Sequence, residues 1–148
     1  MFRGEATRAM PITRRTDYAT RIMVALAAGE TEGPVPAHVL AESTDVPYEF
    51  ARAILTQMAA AGLVTSVRGA HGGVRLSRPV EDISVADILA ATGDTAPLNL
   101  CTYDPGYCAR EGTCVMHTVW CQADAALMAF LATQDLATLA AREKGKVR

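Results

Sequence analysis

Four cysteines and one histidine lie close together in the second half of this 148-residue chain. Their spacing is C-x6-C-x5-C-x2-H-x3-C, formed by Cys101, Cys108, Cys114, His117 and Cys121. Thiolates bind soft metals or carry out redox chemistry, and in a reducing compartment such a group favours those roles over disulfides. The pattern therefore predicts a metal site or a redox site in this segment.

Three kinds of site are compatible with this spacing, which lacks the paired C-x2-C of most structural zinc sites. Widely spaced cysteines in a segment containing Pro105 and Gly106 are suited to wrapping an iron–sulfur cluster. A zinc ion bound by three cysteines and His117 is the second interpretation, and a metal-free dithiol switch is the third. Cys121 lies about 10 Å beyond Cys114 along a helix, so it is predicted to be a buried thiol packed against a partner helix.

The first 80 residues predict three helices followed by a two-stranded hairpin. The helices are expected at about 13–29, 36–43 and 47–62, and the hairpin at 63–76 with a glycine turn at 69–73. This order is that of a winged helix-turn-helix, and the fold class is mainly α with a small two-stranded wing. The inner face of the third helix is predicted to hold Phe50, Ile54, Leu55 and Met58.

The outer face of the third helix and the hairpin are the predicted DNA-binding surfaces. An amphipathic helix with a polar outer face is suited to the major groove, and a thin basic hairpin is suited to phosphates or a narrow minor groove. A generic small α+β domain with a solvated hairpin is the alternative. The candidate DNA-binding residues are Tyr48, Glu49, Arg52, Gln57, Arg68, His71 and Arg75.

The second half predicts helices on either side of the cysteine segment. Ser84 is expected to cap a fourth helix that Gly93 closes, and the cysteine segment covers about 94–113. A long last helix begins near Cys114, with a break at 133–135 before a short final helix.

Composition and charge exclude several classes of function. Half of the residues are apolar and the net charge is −2, so the chain is globular and not a uniformly basic nucleic-acid binder. Residues 10–80 carry seven basic and six acidic side chains, whereas residues 81–148 carry five and nine. No signal-peptide core or membrane-length apolar run is evident, which predicts a cytoplasmic protein. No nucleophile–base pair, phosphate-binding loop or HExxH pattern is evident, so we expect neither an enzyme nor a small-molecule substrate.

Several stretches, taken in order, resemble one known family. They are Met10–Ala19, Ala61–Gly69, Gly72–Leu76, Asp82–Ile88 and the three cysteines 101, 108 and 114. With them the chain resembles the Rrf-two-type winged-helix regulators, the group that contains the iron–sulfur repressors IscR, NsrR and RirA. Residues 16–18 and 98–101 look more like the NsrR branch.

The resemblance implies a homodimeric repressor that binds promoter DNA and senses nitric oxide, redox or iron status. Each subunit would hold a 2Fe–2S or 4Fe–4S cluster on Cys101, Cys108 and Cys114. The fourth ligand would be His117, as in IscR-like members, or Asp17 of the partner subunit, as in NsrR-like members, and the resemblance favours Asp17.

The resemblance also implies a division of the chain. Residues 1–9 would be a disordered extension, residues 10–80 the winged helix-turn-helix domain, and residues 81–148 the cluster-binding loop and the long C-terminal dimerisation helix with its neighbours. The alternative is a zinc-stabilised or dithiol-switch regulator or assembly module without a cluster.

Overall fold

The computed structural model describes residues 12–29, 33–94 and 98–146, and it is mostly helical. The predicted extension at residues 1–9 lies outside the described residues. The helices are α1 (Arg14–Gly29), α2 (Ala37–Ser43), α3 (Tyr48–Ala60), α4 (Val85–Thr92), α5 (Leu100–Tyr103), α6 (Val115–Ala132) and α7 (Leu136–Lys146). The strands are β1 (Val64–Val67) and β2 (Gly73–Leu76), and short 3-10 turns cover Val80–Asp82 and Glu111–Thr113.

Helices α1, α2 and α3 form the three-helix unit that the sequence predicted. Pro36 and Pro47 directly precede α2 and α3, as expected for a residue that suits a helix start. The buried apolar side chains of the unit pack into one core. They include Ile22, Met23, Leu26, Leu40, Ile54, Leu55 and Met58.

Phe50 is an exception to the predicted inner face of α3. Its side chain is 55% exposed, so placing it in the core was wrong. Phe50 lies at the edge of the buried stripe of α3, and its ring meets the ring of Tyr18 on α1 edge to face, with centroids 6.2 Å apart. The helical period alone did not distinguish this border position from the core.

The hairpin is an antiparallel pair in which Val64 lies opposite Leu76. The backbone of Val35 joins its outer edge through two hydrogen bonds with Val74, each 2.9 Å long. A Cβ atom at Gly73 would lie 2.5 Å from the Val35 carbonyl oxygen, so only glycine permits this approach. The wing is therefore attached to the segment that follows α1.

The second half returns to the same core through α4 and α7. Ser84 forms a capping box with Asp87 at the start of α4. Ser84 also pairs with Asp135 through a short backbone bridge, which leads the chain into α7 beside α1. Leu136 is fully buried, so α7 belongs to the core of the three-helix unit.

Helix α6 contrasts with every other long helix of the described chain, because none of its residues is buried. Large apolar side chains stand exposed along it, namely Val115, Met116, Val119, Leu127, Met128 and Phe130. By length and composition α6 is the one helix of the described chain that would be able to span a membrane, which is weak evidence by itself.

Candidate functional site

The predicted contact face of α3 is presented to solvent. Tyr48, Glu49 and Arg52 are exposed, and Gln57 is half-buried. The guanidinium of Arg52 lies 5.8 Å from the centre of the Tyr48 ring and 3.6 Å from the Glu49 carboxylate. Exposed ion pairs of this kind contribute little to stability, so Arg52 is available for other contacts.

The wing carries the other three predicted contact residues. Arg68 and His71 lie at the turn, Arg75 lies on β2 opposite Thr65, and all three are exposed. Within the described parts of the chain, no carboxylate pairs with any of them. A Cβ atom at Gly72 would lie 2.5 Å from the Val67 carbonyl oxygen, so the turn is tight and free of bulk beside these side chains.

The cysteine segment folds into one short helix and one 3-10 turn against the start of α6. Helix α5 was not predicted, and its four residues are capped by the side chain of Asn99, which accepts from the Cys101 backbone N–H. Glu111 accepts a 2.8 Å hydrogen bond from the Gly106 N–H, and this bond closes the loop that contains Cys108. Cys114 directly precedes the first residue of α6.

These elements bring three predicted ligands and one candidate fourth ligand to a single cavity of about 180 Å³. Its lining includes Cys101, Cys108, Cys114 and His117. The three thiols are half-buried and are not joined in disulfides. Partial burial raises the pKa of Cys101, and the neighbouring thiol of Cys108 raises it further.

His117 is held in this cavity with one ring nitrogen unused. Its Nδ1 atom is buried and has no hydrogen-bond partner among the described residues. Its Nε2 atom lies 3.6 Å from the Cys121 Sγ atom and 4.0 Å from Glu111 Oε1. Cys121 itself is exposed in the single chain, where the sequence predicted a thiol buried against a partner.

Asp17 lies apart from the cavity within one chain. Its carboxylate is 2.7 Å from the Arg21 guanidinium on α1, and about half of its side chain is exposed. It is absent from the residues that line the cysteine cavity. Asp17 therefore reaches a cluster only if a second chain brings it there.

The donor set of the cavity fits an iron–sulfur cluster better than a single metal ion. In the described residues, no three His, Cys, Asp or Glu side chains converge closely enough to hold one ion. Zinc requires its ligands at about 2.0–2.3 Å from one point, whereas a cluster presents several irons to thiolates spread further apart. Three half-buried thiols and the His117 side chain around one cavity match the second requirement.

Sequence reasoning missed the side chains that attach the cysteine segment to the rest of the molecule. The Asp94 carboxylate, at the start of the segment, accepts from the hydroxyls of Thr13 and Thr16. Thr16 is fully buried, and its hydroxyl lies 2.7 Å from that of Thr92. The aspartate Asp124 on α6 makes a second attachment. Only the polar type of these residues was visible in the sequence, because their partners are distant along the chain.

A three-helix unit whose third helix and basic hairpin face solvent is the winged helix-turn-helix of a DNA-binding transcription regulator. The model of one family, Rrf2, described as an iron-dependent transcriptional regulator, matches residues 12–142. The chain belongs to the Rrf2 family. The predicted resemblance, the predicted fold class and the expectation of a regulator and not an enzyme are thereby confirmed.

Relatives of known name agree with this assignment. The chain is 31% identical to the protein rrf2 of Nitratidesulfovibrio vulgaris over 130 residues, which cover 88% of this chain and 87% of that protein. The solved structure of T. potens IscR matches with a TM-score of 0.72 and 26% identity, covering 91% of this chain and 88% of that one. CymR, the global cysteine regulator of B. subtilis, matches in fold with a TM-score of 0.72 at 23% identity, covering 89% and 97%.

Proposed function

We propose that this Rrf2-family regulator is a cytoplasmic homodimeric repressor that binds promoter DNA and senses nitric oxide, redox or iron status. The sensor would be an iron–sulfur cluster, of the 2Fe–2S or 4Fe–4S type, held by Cys101, Cys108 and Cys114. The observation that carries this proposal is the single cavity lined by these three thiols and His117. When bound, the cluster supplies a site whose integrity nitric oxide, oxidants or iron shortage changes.

The thiols of this chain would hold the group, and the loop around them would limit its contact with water. Metal binding requires each thiol to lose its proton, and the raised pKa of Cys101 adds to the cost of removing the proton from that thiol. Cys114 precedes the first residue of α6, and Cys101 belongs to the short helix α5. A bound cluster would therefore join α5 to the start of α6, two elements that otherwise meet through few side chains.

Two side chains compete for the fourth ligand position. His117 lines the same cavity as the thiols, and its buried Nδ1 atom has no partner in the described chain. Asp17 is fixed by Arg21 in an ion pair and would come from the partner subunit. A carboxylate oxygen is a harder ligand than an imidazole on a site that prefers thiolate, so an aspartate ligand is the more easily displaced.

DNA would be bound by two copies of the winged unit. The exposed face of α3, with Tyr48, Glu49 and Arg52, would enter the major groove, and Arg68 and Arg75 of the wing would contact phosphates or the minor groove. Gln57 and His71 would add contacts at the rims of these two surfaces. A pair of units related by twofold symmetry reads a palindromic site.

The exposed apolar face of α6 is the surface we assign to the dimer. An 18-residue helix with no buried residue leaves an apolar stripe that water solvates poorly. A second copy of the same helix covers such a stripe without new chemistry, which is the common solution in homodimers. This assignment also accounts for the membrane-like composition of α6.

Anaerobic purification followed by native mass spectrometry and visible absorption spectroscopy tests the proposal. We expect a coloured dimer that carries iron and acid-labile sulfide and that bleaches when nitric oxide is added. Cys108→Ala should abolish retention of the cluster and leave the far-ultraviolet circular dichroism unchanged. A colourless dimer with neither iron nor sulfide, prepared with ample iron and sulfur, would contradict the cluster.

The fourth ligand is decided by comparing Asp17→Ala with His117→Ala under the same conditions. The true ligand variant should shift the visible spectrum and accelerate loss of iron to a chelator, while the other variant should behave like the wild type. Arg15→Ala provides a matched control, because Arg15 is an exposed side chain near the start of α1.

A redox switch without metal is the second candidate function. It is favoured by one observation, the contact of 3.6 Å between the Cys121 Sγ atom and His117 Nε2 beside the other thiols. It predicts that metal-free protein binds promoter DNA, and that peroxide alters this binding while mass spectrometry shows an intrachain disulfide. A metal-free protein whose DNA binding is insensitive to peroxide would exclude it.

A further inference from the structure

One carboxylate attaches the residues on both sides of Cys101 to helix α6. The Leu98 backbone N–H donates to Asp124 Oδ1 at 2.7 Å. The Thr102 hydroxyl lies 2.5 Å from Asp124 Oδ2 and 2.8 Å from the Asn99 carbonyl oxygen, and the shorter contact, to the charged oxygen, is the stronger one. The first donor precedes Cys101 by three residues and the second follows it directly. The two carboxylate oxygens of Asp124 thus contact the chain on either side of Cys101, the first thiol of the cysteine segment.

The positions of residues along α6 show what the contacts of Asp124 determine. Asp124 lies seven residues after His117, so the two side chains share a face of α6 about 10 Å apart along its axis. The cavity with the three thiols includes His117 and Trp120 from this same face. The segment that carries Cys101 therefore runs along α6, and Asp124 determines how far along the helix the Cys101 thiol is presented.

Among the described residues, no other hydrogen bond joins residues 98–103 to α6. Helix α5 contains four residues, which is too short for a helix to be stable by itself. The local cap from Asn99 to the Cys101 N–H is long, at 3.4 Å, and it fixes no distance to α6. Hydrogen bonds to an ionised acceptor are the strongest kind available to such a segment.

We propose that Asp124 is a positioning residue that places the Cys101 thiol in the cysteine cavity. Asp124 does not touch the cofactor in this scheme; it acts through Leu98 and Thr102. The inference rests on the proposed cluster only for its second readout, because the first readout is the accessibility of a thiol in metal-free protein.

The first experiment measures alkylation of each cysteine in the reduced, metal-free, full-length dimer by iodoacetamide, followed by peptide mass spectrometry. The ratio of the Cys101 rate to the Cys108 rate reports the position of Cys101 against an internal reference. Asp124→Ala should raise this ratio at least about tenfold, because about tenfold is the population change for one lost hydrogen bond to a charged group and this variant loses two.

Variants at Thr102 distinguish a change in the position of the Cys101 thiol from the effect of removing the Asp124 charge. Removing Asp124 also removes a negative charge near the thiol, which by itself alters thiolate reactivity. Thr102→Val keeps that charge and removes the hydroxyl that contacts Asp124, so it should raise the ratio as well. Thr102→Ser keeps a hydroxyl and should leave the ratio at its wild-type value. Asp104→Asn removes a charge from the same loop, and its carboxylate takes part in no hydrogen bond of the described chain, so it should leave the ratio unchanged.

The second experiment reconstitutes the dimer anaerobically with iron and sulfide and follows bleaching by a chelator. Asp124→Ala and Thr102→Val should lose the cluster roughly 10–100-fold faster than wild type, the usual effect of removing a group that orients a ligand. A changed alkylation ratio together with a wild type that holds no cluster would support Asp124 and refute the proposed cofactor. An alkylation ratio within twofold of wild type in Thr102→Val and Asp124→Ala would overturn the inference.

Discussion

Replacing Thr16 by valine tests the attachment between the cysteine segment and the DNA-binding unit. Thr16 is fully buried on α1, its hydroxyl donates to the Asp94 carboxylate, and it lies 2.7 Å from the Thr92 hydroxyl. Valine has almost the same shape, so the packing of the core is retained. The loss is one partly buried hydrogen bond to a charged group.

The expected decrease in stability depends on the hydrogen bonds that Asp94 and Thr92 keep in the variant. Asp94 still accepts from Thr13, and Thr92 still donates to the Leu89 carbonyl at 2.9 Å, so neither is left without a partner. The decrease in the free energy of unfolding should therefore lie near the lower end for such bonds, at about 1.5–2 kcal/mol. For a chain of this length that is a decrease in Tm of roughly 3–8 °C.

Urea and thermal unfolding at one fixed protein concentration measure this difference, because the stability of a dimer depends on concentration. Thr56→Val is the matched control: Thr56 is exposed on α3, and its hydroxyl donates only to the Arg52 carbonyl of the same helix. Its effect should stay within about 0.5 kcal/mol. If Thr16→Val is equally silent, or is strictly additive with Asp94→Ala in a double-mutant cycle, the attachment carries no energy and the reasoning fails.

Three further predictions concern DNA binding, assembly and acid stability. Arg75→Ala should reduce the slope of log affinity against log salt concentration by about one for a fixed duplex in fluorescence anisotropy, while Arg110→Ala, far from the wing, should not. Val119→Glu on the exposed face of α6 should weaken the dimer at least about tenfold in analytical ultracentrifugation, and an unchanged dimer would exclude this face. The Thr138 N–H lowers the pKa of Asp135 below its usual value of 3.8, so this group stabilises the fold above that pH and the contribution is lost as the pH falls through the lower folded pKa. Asp135→Asn keeps a neutral cap and should lose less stability than wild type in acid urea titrations; parallel losses would contradict this.

The DNA-binding half could be predicted closely because its signals are local. The prolines before α2 and α3 and the glycine turn of the wing each act within a few residues of where they stand. The reason for the second of the two consecutive glycines was not local, since Gly73 is required by the approach of Val35 from a distant segment. Phe50 shows the same limit, because its contact with Tyr18 depends on how α1 crosses α3.

The candidate site could be predicted in its ligands but not in its supports. Three thiols in one segment were visible as residue types, and the structure brings Cys101, Cys108 and Cys114 to one cavity. Helix α5 was missed since four residues carry no periodic pattern. Asp94 and Asp124 were missed because a single aspartate gives no sign of a partner far along the chain.

Helix α6 links the cysteine segment to the core of the three-helix unit. Cys114 directly precedes its first residue, and beyond its far end the Ser84–Asp135 bridge leads into Leu136, the buried first residue of α7. Because α7 packs against α1, a displacement of the first turn of α6 would reach the three-helix unit through α7.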